Sequence, residues 1–258
     1  MLEAEAGCRQ VIADSPDDMI PLGNACGALD RRFDQLRVKL DDTWSDKIMD
    51  MFIEANSSKD KPIPFDDQGS DYKDMAEMEM ENAWVRLKIK LQADAYRQLW
   101  PTTQAEMAKP ISCTNCGMEL QPPVRHKSIT VNCPGCNAAN QCVPVKAVYG
   151  YYGGAGHAFA EEASVEIRIA IEKFRWEVDR QLRNNRMDHD DYTGESIESL
   201  DHWLSMETNY WNTYGQMRQQ ITGETVEEMN AFIKSRVDYF IDHHMKTEGK
   251  WAQAKGFA

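Results

Sequence analysis

The sequence predicts a mainly α-helical protein, a bundle of about five long helices with one small β element inserted near the middle. Three observations predict it. Apolar residues recur at intervals of three and four on both sides of residues 110–148, the period of a helix that buries one stripe. Within 110–148 that period stops, and prolines and two pairs of cysteines take its place. Charge divides the same way: −8 over residues 1–109 (14 basic, 22 acidic), +2 over 110–150 (3 and 1) and −7 over 151–258 (12 and 19), within a net −13. The breaks predict an N-terminal helical region (1–109), a small cysteine-bearing module (110–148) and a C-terminal helical region (149–258), the two helical parts packing as one bundle.

The first helix is expected over residues 26–56, where Leu29, Phe33, Leu36, Leu40, Trp44, Ile48, Met51 and Phe52 form one stripe. Ser57, Ser58, Pro62, Pro64 and Gly69 make 56–69 a loop, long enough for the next helix to fold back antiparallel. Ser70 is the expected N-cap of a second helix, which carries Met75, Met78, Val85, Ile89, Tyr96 and Leu99 and stops at Pro101. A short helical piece precedes Pro110. After the cysteines, the tyrosines and glycines of residues 149–156 read as a hinge; without a Gly-Lys-Ser/Thr signature or a clear preceding strand, P-loop and dinucleotide readings fail. A third helix covers 157–186 with Val165, Ile167, Ile171, Phe174, Val178 and Leu182, its early Glu161 and Glu162 suiting the positive end of the helix dipole. Residues 187–194 form a polar turn. Two more helices, near 195–220 and 224–247, are separated only by Thr222-Gly223 and must lie antiparallel.

The strongest chemical signal is Cys113-x2-Cys116 and Cys133-x2-Cys136, with sixteen residues between the pairs. In a Cys-x2-Cys turn the chain doubles back, both sulfurs point inward and the intervening amides can donate to them. Two such turns can wrap one tetrahedral metal ion. Gly117 follows the first pair and Asn137 the second, the two residue types that best tolerate positive φ. Pro122, Pro123, Val124, Ile129, Thr130 and Val131 suit a short β-hairpin connection between the turns.

Over residues 111–147 this pattern resembles the zinc-ribbon family. The resemblance implies Cys113, Cys116, Cys133 and Cys136 as ligands of one structural Zn2+; iron is the alternative, because rubredoxin-like ribbons use the same four thiolates. Zinc ribbons serve as nucleic-acid readers, protein-docking knobs or structural clips, and these four residues do not choose among them. Cys142 and His126 lie nearby, but four thiolates fill the site, so both are read as bystanders, and Cys8 and Cys26 have no partner pattern. A site closed by four cysteines holds no water to activate. Its role is to cross-link a segment too small to build a core alone.

Composition narrows the partners. No apolar run reaches eighteen residues, so no membrane span is expected. The opening Met1-Leu2-Glu3-Ala4-Glu5 lacks the basic and apolar parts of a secretory signal, which predicts a reducing cytoplasm and argues against disulfides. The acidic flanks repel phosphate backbones, leaving at most a small nucleic-acid contact through Arg125, His126 and Lys127 or the tyrosines of 149–156; a solvated loop is the plainer reading of the three basic residues.

A helical bundle joined to a four-cysteine ribbon also resembles rubrerythrin, a peroxide-reducing family with a di-iron bundle. That likeness breaks at the ligands, since no histidine here has Glu three positions before it. Glu198 and His202 read as a surface ion pair, His243 and His244 point in two directions, and Asp188-His189-Asp190-Asp191 reads as a solvated turn. Neither Gly-x-Ser-x-Gly nor His-Glu-x2-His occurs. The expected function is therefore non-enzymatic, an interaction or scaffold protein with a structural zinc and a protein partner, its 14 Met and 7 Trp suiting an adaptable docking surface. A redox protein with iron in the ribbon and a weak nucleic-acid binder are the alternatives.

Overall fold

The computed structural model describes residues 2–16, 18–56, 66–123, 125–188 and 194–257. The fold is mainly α, with two small antiparallel strand pairs between the fourth and fifth helices. Helix α1 (Leu2–Asp14) is one the sequence does not announce, because only Cys8 and Ile12 are buried, too few to make a stripe. Helix α2 (Ile20–Thr43) starts six residues before the expected position, with Pro21 in its first turn, where the missing N–H costs nothing. It runs through one π-helical turn (Trp44–Ile48) into α3 (Met49–Asn56).

The expected stripe is covered through Phe33 and only intermittently after it, with Leu40, Trp44 and Phe52 half-buried. Leu22, Cys26, Leu29 and Phe33 pack with Cys8 and Ile12 of α1 and with Trp84, Leu87, Leu91 and Ala95 of α4 (Asp66–Ala108). Leu36, Ile48 and Met51 of the expected stripe are exposed.

Helix α4 corrects two expectations. It begins at Asp66, so Ser70 stands inside it and is not its N-cap, and it passes through Pro101 to Ala108. Residues 57–65 of the expected loop lie outside the described residues. Proline forfeits the bond to the Arg97 carbonyl. Two residues later the Thr103 hydroxyl donates to the Leu99 carbonyl (3.1 Å), and Trp100 packs on Tyr151 of the next long helix with ring centres 4.8 Å apart. Packing thus carries the helix across the break.

Helix α5 (Lys146–Asp188) lies antiparallel to α4. Arg97, Arg86, Glu79 and Asp74, taken backward along α4, pair with Glu162, Glu166, Lys173 and Arg183, taken forward along α5. Exposed pairs add little stability but report register; the apolar contact beneath them is Ile89 against Val165 and Ile169. The expected hinge at 149–156 is instead the opening of α5. Two of its glycines admit neighbours: a Cβ on Gly154 would stand 1.6 Å from Tyr96 Oη of α4, and one on Gly156 2.8 Å from Thr222.

Helix α6 (Ile197–Thr222) begins at Ser196, whose hydroxyl accepts from the Ser199 amide (3.1 Å), and ends at Gly223 with φ +65°. A capping box formed by Thr225 and Glu228 starts α7 (Val226–Phe240) at once. The two helices lie antiparallel, as the short connection requires, with Trp211 against Phe232 and Trp203 against Phe240. A π-helical turn (Ile241–Met245) leads to α8 (Gly249–Ala254), where the Trp251 indole donates to Asp201 (2.9 Å). The helices stand in a row: α1 and α2 on α4, then α5, α6 and α7. Residues 189–193 of the expected polar turn lie outside the described residues. Among the described residues no helix is long and apolar enough to cross a membrane.

Candidate metal centre

Strands β1 (Ile111–Ser112), β2 (Glu119–Leu120), β3 (Ile129–Asn132) and β4 (Ala139–Cys142) lie between α4 and α5. Each Cys-x2-Cys turn is the tip of its own hairpin, β1 with β2 and β3 with β4. This corrects the expected hairpin across the spacer. Ile129–Val131 do form a strand, but Pro122 and Pro123, which have no N–H to give a ladder, stay in the connecting loop. The two turns repeat one bonding pattern. The Cys113 amide donates to the Met118 carbonyl (2.8 Å) and the Cys133 amide to that of Ala138 (2.9 Å); Gly117 donates back to Cys113 (2.9 Å) and Asn137 to Cys133 (2.8 Å). Closing each turn needs a left-handed residue, and Gly117 and Asn137 supply it at φ +76° and +56°.

The turns bring the four sulfurs of Cys113, Cys116, Cys133 and Cys136 within 4.8 Å of one another, close enough to hold one metal ion. Cys113 and Cys136 are 3.6 Å apart and Cys116 and Cys133 3.5 Å. Tetrahedral bonds of about 2.3 Å separate sulfurs by about 3.8 Å, so these two separations are already close to those of a loaded site. Cys113 and Cys133 are buried, Cys136 is half-buried and Cys116 is exposed.

Amide donors and sulfur crowding act against each other here. The Cys116 and Asn115 amides pull Cys113 down to about 6, and the Asn115 side chain followed by the Ala138 amide lowers Cys136. The Met118 amide also pulls on Cys116, but the neighbouring Cys136 and Cys133 sulfurs outweigh it and push that thiol up to about 12. Cys113 and Cys136 are thus made easier to ionise while sulfur crowding makes Cys116 harder. A thiophilic cation removes the conflict.

Sequence reasoning missed Asn140. It is buried on β4, where its Nδ2 donates to Cys113 Sγ (3.4 Å) and the Ala138 carbonyl (2.8 Å), and its Oδ1 accepts from the Thr114 amide (2.9 Å) and hydroxyl (3.1 Å). It therefore ties the second hairpin to the first. The available signal was alternation: Asn140 and Cys142 occupy the inward positions of β4. Cys142 packs with Leu120 in the ribbon's small core, outside the group of four.

The three basic residues of the ribbon loop separate. Arg125 donates to the carbonyls of Met107 and Lys109 (2.7 Å to the latter), capping the end of α4. His126 lies flat on Tyr152, 4.5 Å between centres, and only Lys127 is exposed. Tyr151 is buried against Trp100, so it presents no face to a base. His202 stands edge-on to Phe174, and no ion pair joins it to Glu198. His243 stacks on Tyr239 while His244 meets Trp203 and Phe240, two directions as the helix geometry requires. Cys8 and Cys26 meet in the α1–α2–α4 core, where burial pushes Cys26 up to about 11.

No family model, curated protein or solved structure matches the chain.

Proposed function

We propose that Cys113, Cys116, Cys133 and Cys136 bind one Zn2+ as a closed structural centre, and that the protein works by holding a protein partner and not by chemistry. The observation that carries the metal reading is the four-sulfur cage with its S···S separations of 3.5 and 3.6 Å. Four thiolates leave no open position for water, so the ion acts as a cross-link for a module whose own core is a handful of residues around Leu120. Residues 1–109 and 149–258 act as one helical body from which the ribbon, 110–148, projects.

The partner reading rests on what the ribbon exposes. Met118 and Val143 are 46% and 62% exposed on it, while Arg125 and His126, the basic residues nearest to a nucleic-acid contact, are turned inward to the helices. Such a knob offers apolar side chains to a protein, and of the three basic residues in its loop it leaves only Lys127 open to a phosphate backbone.

Elemental analysis of protein purified without added metal tests the metal reading. It expects one zinc per chain, no visible charge-transfer colour, and loss of the zinc in Cys113→Ser/Cys133→Ser. Iron with such colour would support the redox alternative instead. Crosslinking in the native cell through a photoreactive residue at position 118 tests the partner reading, and an absence of protein adducts would contradict it.

A further inference from the structure

A cavity of about 530 Å3 lies where the ribbon loop meets the helical body, a size suited to a small molecule. Three elements converge on it: the loop between β2 and β3, the first turns of α5, and the end of α6 with the residues after it. Its one lining carboxylate, Glu224, is already engaged, accepting from Arg218 (2.8 Å) and from the Thr222 hydroxyl (2.9 Å). Lys127 makes no ion pair among the described residues, though Glu228 lies near enough to feel its charge. His126 Nε2 is buried with no hydrogen-bond partner. The lining thus carries two cations against one carboxylate, and since Arg218 is the partner of Glu224 the surplus charge lies at Lys127, in a chain whose net charge is −13.

Beside Tyr152 and His157 the α5 wall carries glycines at four positions, and two of those are open. Gly150 and Gly153 precede His157 at intervals of three and four, so they share a face of the helix. Gly154 and Gly156 are explained by the close approach of Tyr96 and Thr222, but a Cβ on Gly150 or Gly153 would meet nothing within 4 Å. Glycine weakens a helix relative to alanine, and among the described residues no neighbour requires it at these two positions, which leaves their side of the cavity open.

We propose that this cavity binds a small phosphomonoester, its phosphate held by Lys127 and Arg218 and its organic part lying along the Gly150 and Gly153 face. Two cationic donors from separate elements match the three oxygens and double charge of a phosphate better than they match a single carboxylate. The site stands apart from the metal reading and does not depend on which ion the cysteines hold.

The test is calorimetric titration of the full-length protein, as purified and at low salt, with glycerol phosphate, glucose 6-phosphate and adenosine monophosphate, and with adenosine as the uncharged control. At least one phosphomonoester saturates a single site, and adenosine does not at the same concentrations. Lys127→Gln weakens binding about tenfold, as expected for a lost charge-assisted contact. Lys234→Gln, which removes an exposed lysine elsewhere, leaves it unchanged. Gly153→Leu fills the open face with a better helix former, so binding is lost while the thermal midpoint holds or rises, which separates a filled site from a misfolded chain. Three results overturn the proposal: no saturable binding of any of the three, adenosine binding as tightly as its phosphate, or binding that neither Lys127→Gln nor Gly153→Leu changes.

Discussion

Replacing Asn140 with alanine removes a side chain that bridges both cysteine turns. The bonds lost are those to Cys113 Sγ (3.4 Å), the Ala138 carbonyl (2.8 Å), and the Thr114 amide and hydroxyl (2.9 and 3.1 Å). Thr114 is exposed, so water replaces what it loses, and the cost falls on the buried side. A neutral hydrogen bond nets about 1 kcal/mol and one to a charged group about 1.5–3 kcal/mol, so the bonds to Ala138 and to a Cys113 thiolate together are worth about 2–4 kcal/mol. Part of that appears in metal affinity, where outer-shell partners are worth about 10–100-fold, or about 1.4–2.7 kcal/mol. Competition for zinc against a chromophoric chelator at neutral pH reads the difference directly. Gln141→Ala is the control, one residue away on the exposed face of β4, and its affinity stays within about twofold of wild type. An Asn140→Ala protein that holds zinc as tightly as wild type refutes the bridging role.

Gly153→Ala raises the thermal midpoint through about 1 kcal/mol of helix propensity, whereas Gly154→Ala lowers it, because overpacking against Tyr96 costs about 1–3 kcal/mol; shifts of the same sign sink the packing explanation. Arg125→Gln releases the ribbon loop from the end of α4, so amide exchange over residues 121–128 accelerates while zinc affinity is unchanged, and unaltered exchange contradicts the docking role. Lys255, and after it the Trp251 indole, hold Asp201 below the usual carboxylate range. A carboxylate lowered by folding stabilises above its unfolded value of about 4 and stops doing so as pH falls through the lowered one. Amide exchange over α8 therefore accelerates on acidification, and Asp201→Asn loses that step; an identical acid profile in the variant contradicts it.

The cysteine turns were legible in the sequence because their geometry is local. Spacing, Gly117 and Asn137 define each turn within five residues, and both residues take the positive φ the turn demands. Asn140 was not legible because its role depends on which face of β4 turns inward and on Thr114, 26 residues away. The long helices followed from their apolar period, but its reach was overstated at Leu36 and Met51, which a stripe alone cannot distinguish from covered positions. Pro101 and the glycines of 149–156 misled for one reason. Local propensity marks them as breaks, while Trp100 on Tyr151 and Tyr96 over Gly154 hold those segments helical through contacts between helices. The meeting of Cys8 with Cys26 likewise needed the packing of two helices onto α4.

The most direct test of the metal centre is X-ray absorption on the purified protein. A zinc edge and a first shell of four sulfurs at about 2.3 Å are expected, with no lighter ligand. An iron edge, or a shell in which nitrogen or oxygen replaces one or more sulfurs, would contradict a closed zinc clip built from Cys113, Cys116, Cys133 and Cys136.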